Sequence, residues 1–323
     1  MINTYVIILI ILLLISISVL YYNRYKYVKK NKNKLYVSSK GKASEWNKLF
    51  FNKFLEIEYP NKEIIYTNIS NPDLLLVSHF FDWNDSLLYT DKKVPYITWS
   101  GEPQKVKNYN SALYNILSQK PEKKEDIWWP YILTANYEMK KGIDKILNKN
   151  YTPIENRKNL VAYIASNCVD KRDNLFKLLE KKSNTAHAMG KCSNNHKKID
   201  GDFTILDNIY ENYIFGFAME NCDLEGYITE KILNIYNSGA IPIFWGDSKS
   251  AEFFFNKESY IDVKDFSSLE EASDYIYNLS LNKEKLKEIK NQKIFKDPKI
   301  FQDLDYGIKN IKQNNYKNGS KIA

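Results

Sequence analysis

The chain has 323 residues, 44% hydrophobic and 27% charged, which is enough apolar material for two packed domains and excludes global disorder. Much of its formal net charge of +8 sits in residues 24–34 and in the tail from Lys309, so a nucleic-acid groove is excluded as the main surface. Cys168, Cys192 and Cys222 form no CxxC pair, and only His79, His187 and His196 could supplement them. That speaks against a zinc site or a disulfide framework and leaves a single bridge open.

Residues 2–22 carry no charge, and 6–20 are almost entirely Ile, Leu and Val. About 20 such residues cross a bilayer as a helix. The basic start and small-residue cleavage site of a signal peptide are missing, so residues 1–23 are expected to be an uncleaved transmembrane anchor. Tyr21 and Tyr22 fit an interfacial belt, and Arg24, Lys26, Lys29, Lys30, Lys32 and Lys34 follow. The positive-inside rule then places the rest of the chain on the cytoplasmic side.

Residues 24–45 read as a basic, flexible linker. Residues 46–157 read as a first lobe with strands at 63–67, 73–78 and 94–99, the last running into Ser100-Gly101-Glu102-Pro103. A second lobe, 158–290, starts on the apolar run 160–165 and continues through a helix around Arg172 to Leu179 and strands at 213–219 and 240–245. Between those strands, Gly226 and Thr229 open a helix carrying Ile228, Ile232, Ile235 and Tyr236 at helical spacing, ended by Gly239 as a left-handed cap. Ser267 and Glu270 have capping-box spacing. Residues 291–323 are assigned to a C-terminal helix and tail, with a solvated tail from Lys309. Strands alternating with helices give an α/β fold. Ligands of such half-folds bind at the carboxyl ends of the strands, and no GxGxxG or Walker sequence is present to hold a nucleotide.

The densest chemical constellation is 220–231, ENCDLEGYITEK, between a buried strand and a helix. A helix end and Lys231 suit a diphosphate, while Glu220, Asn221 and Glu230 can meet ribose, base or sugar hydroxyls. A solvent-facing loop capping a helix fits the same residues equally well. Arg172, following Ser166-Asn167 after a strand, can pair bidentately with a phosphate or be an exposed helix charge beside Lys171. Glu102 can serve as a general base or decorate a loop. Trp128-Trp129 can stack on a sugar or fill a core, and His79 with residues 82–85 can line an acceptor cleft.

The run 215–246, FGFAMENCDLEGYITEKILNIYNSGAIPIFWG, closely resembles the donor-binding motif of the alpha-1,3/1,4-fucosyltransferase family, F-x-x-x-F-E-N-S, then D-Y-x-T-E-K, an apolar helix and A/G-x-x-P-V-x-x-G. Ser166-Asn167-Cys168 resembles that family's S-N-C turn, Gly190-Lys191-Cys192 its G-K/R-C element, and Ser100-Gly101-Glu102-Pro103 its T-G-E-N element. The likeness is dense over 158–270 and thin over 46–157. It departs at Cys222, where the family has Ser, at Gly226, where it has Asp, with acids displaced to Asp223 and Glu225, and at Pro103, where the family's T-G-E-N has Asn.

The resemblance implies a GT-B fold, two Rossmann-like lobes facing a cleft, and inverting transfer of fucose from GDP-β-L-fucose to a glycan hydroxyl in α linkage, α1,3 by likeness. By the same resemblance Arg172 and Lys231 neutralise the diphosphate. Glu220, Asn221, Tyr227 and Glu230 hold nucleotide and fucose, with Ser166, Asn167 and Thr229 as further pocket residues, and Glu102 takes the acceptor proton. Fixed cations stabilise the leaving group, so no metal or other cofactor is expected, and Asp200-Gly201-Asp202 reads as a loop. The expected partners are GDP-fucose, a glycan acceptor and, through the anchor, a membrane. Family likeness points to a Golgi-type lumenal domain, against the positive-inside reading. The rivals are a same-fold transferase using another nucleotide sugar and an inactive membrane-tethered glycan- or nucleotide-binding protein.

Overall fold

The structure is a computed structural model that describes residues 10–16, 30–40, 45, 47–69, 71–78, 94–103, 109–139, 143–148, 151–199 and 205–314. The chain divides into two compact units, residues 1–100 with 104–115, and residues 101–103 with 116–323.

In the first unit four parallel strands lie in the order β2 (Glu63–Tyr66), β1 (Lys34–Lys40), β3 (Leu74–Ser78), β4 (Tyr96–Ser100). β3 and β4 are buried along their whole length, as continuous apolar runs require in a parallel sheet. The helix Lys48–Glu58 buries Phe50, Phe51, Phe54 and Leu55, with Phe50 and Phe54 stacked one turn apart at 5.6 Å.

β1 corrects the flexible-linker expectation for 24–45. Leu35 and Val37 point into the core, and the segment is tied to its neighbour β3: Lys30 pairs with Asp73 at 2.7 Å, and Asp73 also accepts from the Tyr36 amide at 2.9 Å. The anchor expectation falls mostly on residues outside those described. The described part, 10–16, is helical, and Ile10 to Ile15 are each at least half exposed. No helix among the described residues is long and apolar enough to cross a membrane.

The second unit carries a five-stranded parallel sheet in the order β11 (Ile261–Asp262), β10 (Ile241–Trp245), β9 (Tyr213–Met219), β7 (Asn159–Tyr163), β8 (Ala186–Ala188). A short parallel pair precedes it, β5 (Tyr114–Leu117), whose last two residues fall in this unit, with β6 (Ile127–Trp128). Residues 116–157 thus group with the second unit, whereas the sequence places the lobe boundary at 157. They are tied there by Lys120 N–H to Glu225 O at 2.7 Å and Trp128 Nε1–H to Gly226 O at 2.8 Å. The core packs Tyr163, Phe176 and Phe217 against one another, with Tyr163 and Phe217 centroids 5.0 Å apart.

The chain leaves β7 toward β8 on one side and returns to β9 on the other, so the topological switch lies between β7 and β9. Their carboxyl ends therefore frame a crevice.

Three boundaries differ from the sequence expectations. The helix expected to open at Gly226 begins only at Lys231 and ends at Asn237, because Gly226 turns the chain with φ +87°. A Cβ there would run into the Lys120 backbone, so glycine is required. The cap of helix Leu269–Ser280 is Ser268, not Ser267: Ser268 Oγ accepts from the Glu271 amide, and Glu271 reaches back to Ser267 N–H at 2.8 Å. The solvated tail begins later than Lys309, since helix Leu304–Asn314 buries Ile308 and Ile311. Gly239 does close Lys231–Asn237 with a left-handed φ of +74°. Arg157 secures that turn by donating to the carbonyls of Ser238 and Tyr213, each at 2.8 Å, and burial pulls its pKa down to about 10.

Candidate functional site

The crevice at the ends of β7 and β9 is a pocket of about 360 Å³ within the second unit. Its lining includes Glu102, Ser166, Asn167, Arg172, Asn221, Tyr227, Thr229, Glu230 and Lys231. Residues read from three separate stretches of sequence are therefore brought together. Glu220 stands directly behind them. His79 and residues 82–85 lie outside the described residues, as do residues 200–202.

Glu220 is fully buried at the end of β9. Its carboxylate accepts from the Thr229 amide at 2.7 Å, from Thr229 Oγ1 at 2.9 Å and from Lys231 Nζ at 2.9 Å. Three donors on one carboxylate are the arrangement that makes a buried charge tolerable. They also fix the Lys231 ammonium at the pocket wall, where 23% of its side chain stays exposed. Burial pulls the Lys231 pKa down, but Glu220 and Glu230 outweigh it and the net direction is up. Lys231 is thus a permanent cation. The structure makes Glu220 a support for Lys231 and Thr229 rather than a lining residue.

Arg172 is buried on helix Asp170–Lys182, which overturns the exposed-charge alternative. One terminal nitrogen donates to Asn167 O at 3.0 Å and to Asn221 Oδ1 at 2.9 Å, while Nε has no partner among the described residues. Asn167 and Asn221 thereby orient a second cation with donor capacity to spare, and a phosphate oxygen would satisfy it. Ser166 and Asn167 are solvent-exposed on the β7 turn.

The turn 222–230 is pinned from outside the pocket. Asp247 accepts from Gly226 N–H at 2.8 Å, and Trp128 donates to Gly226 O. Asp223 pairs with Lys264 at 2.6 Å and Glu225 with Lys120 at 2.9 Å. The acids displaced from the family's usual position are therefore used structurally. Trp128 and Trp129 are both 1% exposed, so the sugar-stacking alternative is replaced by a core role in which Trp128 holds the turn.

Tyr227 is buried, and its phenol pKa is raised by burial and then by Glu220, Glu102, Glu230 and Cys222. Tyr131, missed in the sequence, is raised by burial and then by Glu230 and Glu102. Both are neutral hydroxyl donors beside carboxylates. Glu102 is exposed and faces this pocket from the turn after β4.

Cys168 and Cys192 form a disulfide that ties the β7 turn to the loop after β8. Cys222 is free, and burial followed by Glu220 pushes its thiol pKa up, so it is a poor nucleophile. Among the described residues no group of three or more His, Cys, Asp or Glu stands close enough to hold a metal ion.

Residues 154–293 match the family described as glycosyltransferase family 10 (fucosyltransferase), C-terminal. An alpha-(1,4)-fucosyltransferase of Arabidopsis thaliana is 32% identical over 152 residues, 41% of this chain and 37% of its own length. An alpha-(1,3)-fucosyltransferase of Helicobacter pylori is 45% identical over 71 residues, 22% of this chain and 15% of its own. The chain thus spans well under half the length of these curated relatives. A crystal structure of an alpha1,3-fucosyltransferase with GDP-fucose superposes with TM-score 0.63 at 18% identity, covering 91% of this chain and 96% of the other. That likeness bears out two parallel-sheet α/β domains of the GT-B type.

Proposed function

Because residues 154–293 are a glycosyltransferase family 10 (fucosyltransferase) C-terminal domain, we propose that the protein transfers L-fucose from GDP-β-L-fucose to a glycan hydroxyl, with inversion to an α linkage, α1,3 by likeness. The observation that carries this reading is that Glu102 lines the same pocket as Arg172, Tyr227, Glu230 and Lys231.

The chemistry follows from the placements. The acceptor oxygen attacks the fucose anomeric carbon as Glu102 takes its proton. The bond to the diphosphate breaks, and GDP leaves with the electron pair. Arg172 and Lys231 are fixed before the reaction, so they stabilise the charge that develops on the leaving group without reorganising. We propose that this replaces a tightly bound divalent metal. Tyr227 and Tyr131 supply neutral hydroxyl donors for fucose hydroxyls, and Glu230 accepts from them.

A donor titration tests the reading. GDP-fucose and GDP are expected to bind calorimetrically, and UDP-sugars are expected not to. Preferential binding of a UDP-sugar would favour the same-fold transferase with another donor.

We also propose that the segment before β1 anchors the enzyme to a membrane, supported by the exposed apolar helix at 10–16 and the basic residues after it. The Cys168–Cys192 disulfide favours an oxidising, lumenal side. Removing residues 1–29, which spares the Lys30–Asp73 pair and β1, is expected to release a folded protein into the supernatant. A truncated protein that pellets with membranes as the full chain does would refute the anchor.

A further inference from the structure

Asn234 is a pocket-lining residue that none of the roles above uses. It sits on helix Lys231–Asn237, one turn beyond Lys231, and is 6% exposed. Its side-chain oxygen is buried with no hydrogen-bond partner among the described residues. Buried polar groups are almost always paired, and leaving one unpaired costs stability. An unpaired acceptor at the wall of a ligand pocket is accounted for when the ligand brings the donor.

The pocket lining sorts by chemistry. Glu102, Tyr131, Tyr227 and Glu230 all line this pocket, and after burial the charges of Glu102 and Glu230 both raise the Tyr131 and Tyr227 phenols, so the four stand together. The sugar belongs with them, since its reacting carbon has to be near Glu102. Arg172 and Lys231 line the same pocket and the Arg172 charge is felt at Lys231, so the diphosphate belongs between them. The rest of the lining includes the rings of Tyr163, Tyr210 and Phe217, with Leu206 and Asn234. This part is flat-ringed and apolar, and the helix carrying Asn234 packs against Leu206–Tyr210. A nucleobase suits it: π-faces against aromatic rings and polar edge atoms that need a partner once water is excluded.

We propose that Asn234 reads the base of the donor nucleotide, its side-chain oxygen accepting from the N1–H or N2–H edge of guanine. This rests on the GDP-sugar reading of the pocket. A pyrimidine held the same way would present fewer ring donors to that oxygen, so Asn234 contributes to the choice of a guanine nucleotide.

The test uses the full chain in detergent, with GDP, GDP-fucose and inorganic pyrophosphate as calorimetric probes. Asn234→Leu is expected to weaken GDP about tenfold to a hundredfold and to leave pyrophosphate unchanged. Equal loss of both would mean that Asn234 serves the phosphates or the fold. Unchanged GDP affinity, or a loss seen only with GDP-fucose, would mean that it does not touch the base. Each of these results overturns the proposal. Should Asn234→Leu not fold, Asn234→Asp carries the test. A carboxylate accepts from both N1–H and N2–H, so GDP must bind at least as tightly relative to pyrophosphate, and weaker relative binding overturns the assignment. Wild-type protein that binds no guanine nucleotide would instead sink the donor reading itself, and that result is read before any variant is made.

Discussion

Glu102→Gln is expected to lower kcat by about 10²–10⁴-fold, the usual worth of a general base, while GDP affinity stays near that of the wild type. Glu102 is exposed at the mouth of the pocket, where an acceptor hydroxyl can reach it. Its charge is felt by Tyr131, Tyr227 and Cys222, which places it beside the sugar-side donors. Pro103 behind it biases its backbone toward extended geometry. Glutamine keeps the size and the hydrogen bonding but cannot accept the proton. The diphosphate contacts, Arg172 and Lys231, are untouched. Initial-rate kinetics alongside GDP calorimetry decide it. Near wild-type turnover in a folded variant would move the base to another acid, with Asp82 and Asp85 tried next.

The second large effect is expected at Glu220. Glu220→Ala is expected to lower the free energy of unfolding by about 3–5 kcal/mol, the cost of breaking a buried ion pair from one side, and to weaken GDP as well. The Thr229 amide and hydroxyl both lose their acceptor, and the Lys231 ammonium loses its nearest anion. The residual exposure of Lys231 and the neighbouring Glu230 hold the loss toward the lower end. Lys231→Ala makes the contrast. It leaves Glu220 buried with both Thr229 donors but without its cation, so it also costs stability, and it removes a diphosphate cation directly, which costs GDP binding about 1.5–3 kcal/mol for hydrogen bonds to a charged group. Denaturant titrations and GDP calorimetry separate the two. A Glu220→Ala protein as stable as the wild type would show that the buried carboxylate is not what holds the wall together.

The parts of the fold that were legible are those whose local pattern needs no partner to be understood. β9 and β10 are continuous apolar runs, and the sequence bounds 213–219 and 240–245 nearly coincide with Tyr213–Met219 and Ile241–Trp245. Gly239 was readable as a cap for the same reason. β1 was not, because Lys34, Ser38 and Ser39 dilute its two inward residues and a charged segment precedes it. Gly226 was read as a helix start, since a left-handed turn and a helix N-terminus use similar residues. The site divides the same way. The stretch 220–231 announced itself by density of function, whereas Tyr131 and Asn234 look ordinary until the fold brings them to the pocket. Arg172 carried no signal of burial beside Lys171. Only the tertiary contact with Asn167 and Asn221 separates it from a surface charge.

Inverting transfer of a fucosyl group from GDP to a glycan is read on the product itself. The most direct measurement is proton NMR of the product formed when the full chain is given GDP-β-L-fucose and a panel of glycan acceptors, with GDP release followed in the same tube. A new α-anomeric fucoside is expected on one acceptor class, formed in step with equimolar GDP. A β-anomeric product, preferential transfer of another sugar from its own nucleotide, or a folded chain that leaves GDP-fucose unused with every acceptor would contradict it.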